Sequence, residues 1–342
     1  MTPVDKSELS SFAQGIARRH VLLAAGGATA SALAPWPAGA QDAAYPNKPV
    51  KVIVPWPAGG ATDVLARILA ERLTSKLGHN FFVDNRPGAT GYIGTQAVIS
   101  SPADGYTLLV MAPSLHTFHA AVAKTIPFDA VKDFTPVSAF AQFPSVLVVP
   151  ANSPYNTVSD LLADARKRPE KLTFGSFGNG SAAHMIPELL SIFTKTKFLH
   201  VPYKGAAPAI TDLLAGRLDF MMDSLPSPMP HIRSGRLKAL AVTSKARSTL
   251  LPGVPTIAET MPGFDVILCI GLGAPAGTPA SIANKLHDAV RQISLEPAYV
   301  EKLANLGSEP SSSGSPEAFR TFLSSQRELW TKVATQSGIT LD

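Results

Sequence analysis

Three glycine-bearing segments hold the residue types best suited to gripping an anion: Ala58-Gly59-Gly60-Ala61-Thr62-Asp63, Asn85-Arg86-Pro87-Gly88-Ala89-Thr90-Gly91 and Gly175-Ser176-Phe177-Gly178-Asn179-Gly180-Ser181. Each follows a short apolar, strand-like run and opens a helical pattern. Glycine lets the backbone approach a ligand closely, and the first unpaired N–H groups of a helix, with the partial positive charge there, favour a carboxylate or phosphate. One such turn is a weak signal; three suggest anion cradles opposed across a cleft. Asp63 complicates the first turn, because a carboxylate beside an anionic ligand repels it. Either it stabilises its helix as a first-turn acid and points away, or it meets an ammonium group or a neutral ligand such as an amide. Ser181 has a plain alternative role as the N-cap of the helix that carries His184.

Other chemistries fit less well. The Gly-x-Ser-x-Gly elbow fails at both candidate serines, since Phe174 stands two residues before Ser176 and Ala183 two after Ser181. No glycine loop is followed by Gly-Lys-Ser/Thr, which excludes a phosphate loop of the P-loop type. Gly271-Leu272-Gly273-Ala274-Pro275-Ala276 resembles a dinucleotide fingerprint, but Pro275 interrupts it and no helix follows directly. His116 and His119 stand three apart without an acidic third ligand and read as surface or cleft residues rather than a metal site. Nothing in the sequence pairs Asp63 with Asp223 as acid and base. No cofactor and no metal are expected, and an exported hydrolase using Ser181 and His184 is the enzymatic alternative.

Elements that could position these turns recur along the chain. Val/Ile/Leu-rich runs alternate with amphipathic stretches, the pattern of βα units around mostly parallel sheets, so the fold class is α/β. Strands are predicted over 50–55, 81–84, 106–111, 145–149, 172–176, 198–201, 219–222, 239–243 and 266–271. The first helix carries Leu65, Ile68, Leu69, Leu73 and Leu77 on one face, with Gly78 as its left-handed cap. Further helices are predicted near 158–168, 182–194, 208–215, 279–295 and 316–338.

The first forty residues stand apart. Arg18-Arg19 precedes a short apolar run from Val21 to Leu33 that ends at Ala38-Gly39-Ala40, a small-x-small cleavage pattern, so residues 1–40 read as a signal peptide and the mature, periplasmic chain as starting at Gln41. The arginine pair leaves both general and twin-arginine export open, and Gln41 in place of Cys argues against a lipid anchor. Setting aside Lys6, Arg18, Arg19, Asp5 and Glu8 leaves 27 basic against 23 acidic residues, too even and too scattered for a nucleic-acid surface. Cys269 is the only cysteine, so no intramolecular disulfide can form. About three hundred residues exceed what one core usually organises and suggest two domains.

The chain resembles the Bug (TctC-like) family of extracytoplasmic solute-binding receptors of tripartite tricarboxylate transporters. The likeness rests on Val54-Pro55-Trp56-Pro57-Ala58-Gly59-Gly60 with Asp63 and Ala66-Arg67, on Asn85-Arg86-Pro87-Gly88-Ala89 with Gly91 and Gly94, and on Asp104-Gly105-Tyr106-Thr107-Leu108-Leu109. It continues through Lys132-Asp133-Phe134-Thr135-Pro136-Val137, His200-Val201-Pro202-Tyr203-Lys204-Gly205, Leu240-Ala241-Val242-Thr243, Leu251-Pro252-Gly253-Val254-Pro255-Thr256 and Ala274-Pro275-Ala276-Gly277-Thr278-Pro279.

The resemblance implies a two-lobed periplasmic binding fold of the type II kind, each lobe an α/β sandwich, closing around a ligand in the cleft. One lobe would combine residues 45–145 with 262–342 and the other would span 146–261. It implies a small carboxylate as ligand, held by backbone amides and small hydroxyls. The positions carried over are Ala58, Gly59, Gly60, Thr62, Asp63, Gly88, Ala89 and Gly91, with Ser114, Ser176, Asn179, Ser181, His184 and Asp223 completing the cleft. It further implies a monomer that hands its ligand to membrane permease subunits, or alternatively to a sensor protein. Relatives commonly carry Trp shortly before the glycine matching Gly271, where this chain has Leu268-Cys269-Ile270; loss of that aromatic wall would widen or reshape the pocket unless His184 or Phe143 compensates.

Overall fold

A single long strand organises the molecule. In the computed structural model, which describes residues 45–88, 91–112, 114–123 and 126–340, β4 runs from Phe134 to Pro150 and belongs to two sheet regions. Its first part pairs antiparallel with β9, Ile267–Pro275, from Phe134↔Pro275 to Pro144↔Ile267. Its last part pairs antiparallel with β7, Met221–Ser224, and β8, Leu237–Val242. The residues predicted as signal peptide, and the candidate Ala89, lie outside the described residues.

On the first side, β1 (Val50–Val54) lies between β2 (Phe81–Asn85) and β3 (Thr107–Met111), both parallel to it, and β3 pairs antiparallel with β9. A two-residue β10, Glu309–Pro310, closes the edge beyond β4. Val50, Val52, Ile53 and Val54 are all buried, as expected for a strand covered on both faces. Helix α1, Ala61–Leu77, buries Leu65, Ala66, Leu69, Ala70 and Leu73 and ends at Gly78, whose left-handed φ of 75° lets its N–H reach Thr74 O. Helix α2, Tyr92–Ile99, follows β2, and a π-helical turn, Ser114–His119, runs on into α3, Ala120–Val122.

On the second side, β5 (Thr173–Ser176) and β6 (Leu199–Pro202) pair in parallel, and a parallel bridge between Phe174 and Phe220 joins them to the β7 segment. Helices α4 (Val158–Lys167), α5 (Ala182–Thr194), α6 (Ala206–Leu214) and α7 (Met229–Arg233) connect these strands. The chain ends with α8 (Ala280–Ile293), α9 (Pro297–Asn305) and α10 (Pro316–Ser337).

Sequence periodicity locates most of these elements within one to three residues. It misses the first eleven residues of β4, where Pro136 and Pro144 argue against a central strand. The ladder accommodates Pro136 with a register shift between Pro136 and Ser138. It also misses α3, α7, α9 and β10. The Gly271–Ala276 segment is no dinucleotide turn: residues 271–275 lie inside β9, and a Cβ at Gly271 would sit 2.3 Å from Phe319 Cζ.

Candidate anion-binding site

Strand direction decides where the three turns lie. Along β3, Leu109 faces Gly273 and Met111 faces Gly271, and along β9 those glycines face Pro136 and Ala139, so β1, β2 and β3 all advance toward the 144–145 point of β4. Along β7, Met221 faces Val148 and Ser224 faces Ser145, so β7, and β5 parallel to it, advance toward the same point from the other side. The turns after β1 and β2, the Ala112–Ser114 connection after β3, the 176–181 turn and the Asp223–Ser224 end of β7 therefore converge on the crossing. Ligands in open α/β sheets collect at such carboxyl ends.

The first turn is built around Asp63. Gly59 adopts φ 86°, and its N–H donates to Asp63 Oδ2 at 2.9 Å; Arg67 Nε donates to the same oxygen at 3.0 Å. Asn85 Nδ2, at the end of β2, donates to Asp63 Oδ1 at 2.9 Å and to Trp56 O at 3.1 Å, while Arg67 Nη2 donates to Asn85 Oδ1 at 2.8 Å. Burial alone would raise this carboxyl, but the hydrogen bonds from Arg67, Gly59 and Asn85 hold it below its ordinary value. Both Asp63 oxygens are thus spent on the turn itself, the outcome in which the acid shapes the loop. Arg67 and Asn85, which motif reading does not single out as site residues, complete the network. Ala58, Gly59 and Gly60 are exposed, and no side chain caps α1.

The second turn is pinned from below. Gly88 and Gly91 take φ 128° and 98°, and Gly91 N–H donates to Gly88 O at 2.9 Å. A Cβ on Gly94 would meet Arg86 O at 2.7 Å and Pro55 Cβ at 2.8 Å, so α2 presses directly on the first and second turns together. After β3, Ser114 begins the π-helical turn; its side chain lies outside the described set. His116 is buried rather than a surface or cleft residue: its Nδ1 lies 3.2 Å from Ala112 N, its Nε2 has no partner, and burial pushes it down to about 4. Among the described residues no cluster of His, Cys, Asp or Glu could hold a metal.

The third turn stands on buried polar side chains. Gly178 and Gly180 adopt φ 120° and 72°, and Asn179 between them is exposed. Ser181 occupies the N-cap position of α5 without capping it, because its Oγ donates to Gly178 O at 2.8 Å. His184, 6 % exposed, accepts from Gly180 N–H through Nδ1 at 3.1 Å. Asp223 is 1 % exposed; Ser224 Oγ donates to its Oδ1 at 3.1 Å, Oδ2 has no partner, and burial pushes the carboxyl up to about 7.

The candidates divide by depth. Ala58, Gly59, Gly60, Gly88 and Asn179 are exposed and Thr62 is partly so, whereas Asp63, Ser176, His184 and Asp223 lie beneath the turns. A cavity of about 300 Å³ joins Gly59, Ala61 and Val64 of the first turn and α1 to Pro226, Met229 and Arg233 after β7 and to Asn305–Ser308. Cys269 lies partly buried in β9. That side chain lines a space of about 10 Å³, room for roughly one water, together with Met111, His116 and Phe319. Neither His184 nor Phe143 borders it.

A two-sided α/β molecule with helix-start glycine turns meeting at a strand crossing defines the class of bilobed solute-binding proteins. The chain belongs to the tripartite tricarboxylate transporter family receptors, the TctC family, whose model matches residues 65–339. BugT of Bordetella pertussis is 37% identical over 299 residues, which cover 87% of this chain and 91% of BugT. The solved structure of Rpa4515 of R. palustris with adipate matches at TM-score 0.74 and 37% identity, covering 86% of this chain and 99% of that one. MatC of Rhodopseudomonas palustris with bound malate matches at TM-score 0.69 and 29% identity, covering 84% and 99%. The family is one of receptors, not enzymes, and no helix among the described residues is long and apolar enough to cross a membrane.

Proposed function

We propose that the protein is a periplasmic receptor that captures a small dicarboxylate between two lobes, residues 45–145 with 262–342 and residues 146–261, and presents it to the permease of a tripartite tricarboxylate-type transporter. The single observation that carries this reading is the convergence, by strand register, of glycine turns from both sides on the 144–145 point of β4. The exposed backbone of Ala58, Gly60, Gly88 and Asn179 supplies the donors, since the N–H groups of Gly59 and Gly91 are spent on Asp63 Oδ2 and Gly88 O. Lys and Arg are missing from the candidate positions, and the nearby Arg67 and Arg86 are engaged by Asp63 and Asp84, so main-chain N–H groups carry the anion, with Arg233 on the far wall of the cavity a nearby cation that makes no ion pair among the described residues. Asp223 supports the same reading, because below about pH 7 its buried carboxyl keeps its proton and does not repel a ligand carboxylate. Adipate and malate in the two related structures support a ligand of that size class.

Closure follows from contacts made only when both sides engage the ligand. A ligand at one hundred times its Kd stabilises the folded state by about 2.7 kcal/mol, which raises the melting temperature by several degrees. A thermal-shift series of C4 to C6 dicarboxylates, malate and adipate included, tests this on the mature protein. A shift with at least one member is expected; a flat series at millimolar concentration removes the reading.

A further inference from the structure

We infer that His200 is a positioning residue for the 176–181 turn, holding it in binding shape through Ser176 on one side and His184 on the other; this rests on that turn being part of the ligand site proposed above. His200 lies on β6 directly opposite Phe174 in the β5–β6 register. Its Nε2 is 2.6 Å from Ser176 Oγ. Its ring stacks on His184 at 3.8 Å with the planes 8° apart and is backed by Phe174 at 4.9 Å.

These contacts add to the bonds from Ser181 Oγ and N–H to Gly178 O and from Tyr203 N–H to Ser176 O, and they are what orients the two left-handed N–H groups. Ser176 Oγ lies 3.1 Å from Gly178 N and 3.2 Å from Gly178 O, and His184 Nδ1 receives the Gly180 N–H. Both left-handed glycines are thus tied to side chains that His200 touches. Accepting from Gly180 also fixes the His184 tautomer: Nδ1 is bare, and the proton sits on Nε2, 3.9 Å from Glu188 Oε1 of the same helix. The stack works only with both rings neutral, and burial depresses both, His184 to about 3 and His200 to about 4.

The test separates His200 from the receptor reading. In ligand-free protein, amide exchange by NMR reports Gly178 and Gly180 individually. His200→Phe keeps a ring in the stack but frees Ser176 Oγ to rotate, so Gly178 exchanges at least tenfold faster while Gly180 keeps its protection. His184→Phe gives the reverse pattern. His200→Gln, which restores a partner for Ser176, recovers Gly178 protection, and Ser176→Ala, which removes the Gly178 acceptor outright, repeats the His200→Phe pattern with at least as large a change and serves should that variant fold poorly. Affinity for the C4 to C6 dicarboxylate that most stabilises the wild type falls about tenfold in His200→Phe, the worth of one hydrogen bond. Unaltered Gly178 exchange, or undiminished affinity in a folded His200→Phe variant, overturns the assignment. A wild type that binds no member of the C4 to C6 series overturns the receptor reading instead, and the exchange data still judge His200.

Discussion

Gly59 and Gly60 are neighbours in sequence but differ in what they require. Gly59 sits at φ 86°, where a β-branched side chain is strained whatever the space, while Gly60 has φ −74° and only Pro57 O at 3.7 Å from an added Cβ. Gly59→Val should therefore lower stability by about 1–3 kcal/mol in chemical denaturation. Gly60→Val should leave the unfolding midpoint nearly unchanged and abolish the thermal shift with dicarboxylate, since only the ligand needs that space. A Gly60→Val protein that still shows the full shift would move the ligand away from the first turn. Asp223 makes a second residue-scale prediction. Its pKa is raised to about 7 from an ordinary 3.8, so between those values the folded state holds a proton that the unfolded state has lost, and stability declines as pH rises. Asp223→Asn lacks this slope. The variant's unfolding free energy relative to wild type should climb by about 1.4 kcal/mol per pH unit between pH 4 and 7 and level off above. Equal pH slopes in urea titrations of the two proteins would show that the carboxyl is ionised when folded.

At the scale of elements, α2 is the wedge that spaces the first two turns. Gly94 brings its helix within contact of Arg86 O and Pro55, both backbone-level neighbours that cannot swing aside, so Gly94→Val should cost about 1–3 kcal/mol by overpacking and splay the turns. Weaker dicarboxylate binding together with the lower midpoint is the expected signature; a lower midpoint with unchanged affinity would detach the wedge from the site. Much of this level was legible beforehand, and the reasons are physical. Strand–glycine–helix junctions announce themselves because the glycine, the helix start and the apolar period all coincide, as at Val54 to Leu65. The long reach of β4 was hidden because Pro136 and Pro144 break the strand pattern, and only the partner strand shows how a register shift absorbs Pro136. His200 was hidden too. It was visible within the His200–Gly205 motif, but its importance comes from a ring stack with His184, sixteen positions away, that no spacing rule encodes.

Across the whole molecule, the last helix binds the two sides into one cooperative body. The first half of α10 places Phe319 and Leu323 in the core beneath β1 and β3, with Ile53, Leu109 and Met111. Its second half places Trp330, Val333 and Ala334 in a different core with Leu161, Met185, Leu189 and Phe220 from the far side of the crossing. Trp330 is fully buried, packs edge-on against Phe118 at 4.6 Å, and donates from Nε1 to Gln326 Oε1 at 3.0 Å. The proposed closure must therefore turn about β4 and β9 while one end of α10 stays seated in each core, which limits how far the proposed cleft can open. Trp330→Ala should cost about 3–5 kcal/mol, as for a large aromatic removed from a tight core. Its more telling effect is on cooperativity. In wild type, tryptophan fluorescence, which comes from Trp56 by the first turn and Trp330 in α10, and far-UV circular dichroism, which reports all helices, should trace the same urea transition; in the mature Trp330→Ala chain the fluorescence reports Trp56 alone. In Trp330→Ala the core holding α4 and α5 loses its anchor and melts first, so the dichroism curve should fall ahead of the fluorescence curve. Coincident curves in the variant, shifted but still superimposed, would mean that the β4 crossing alone couples the two sides and that α10 is merely packed across it.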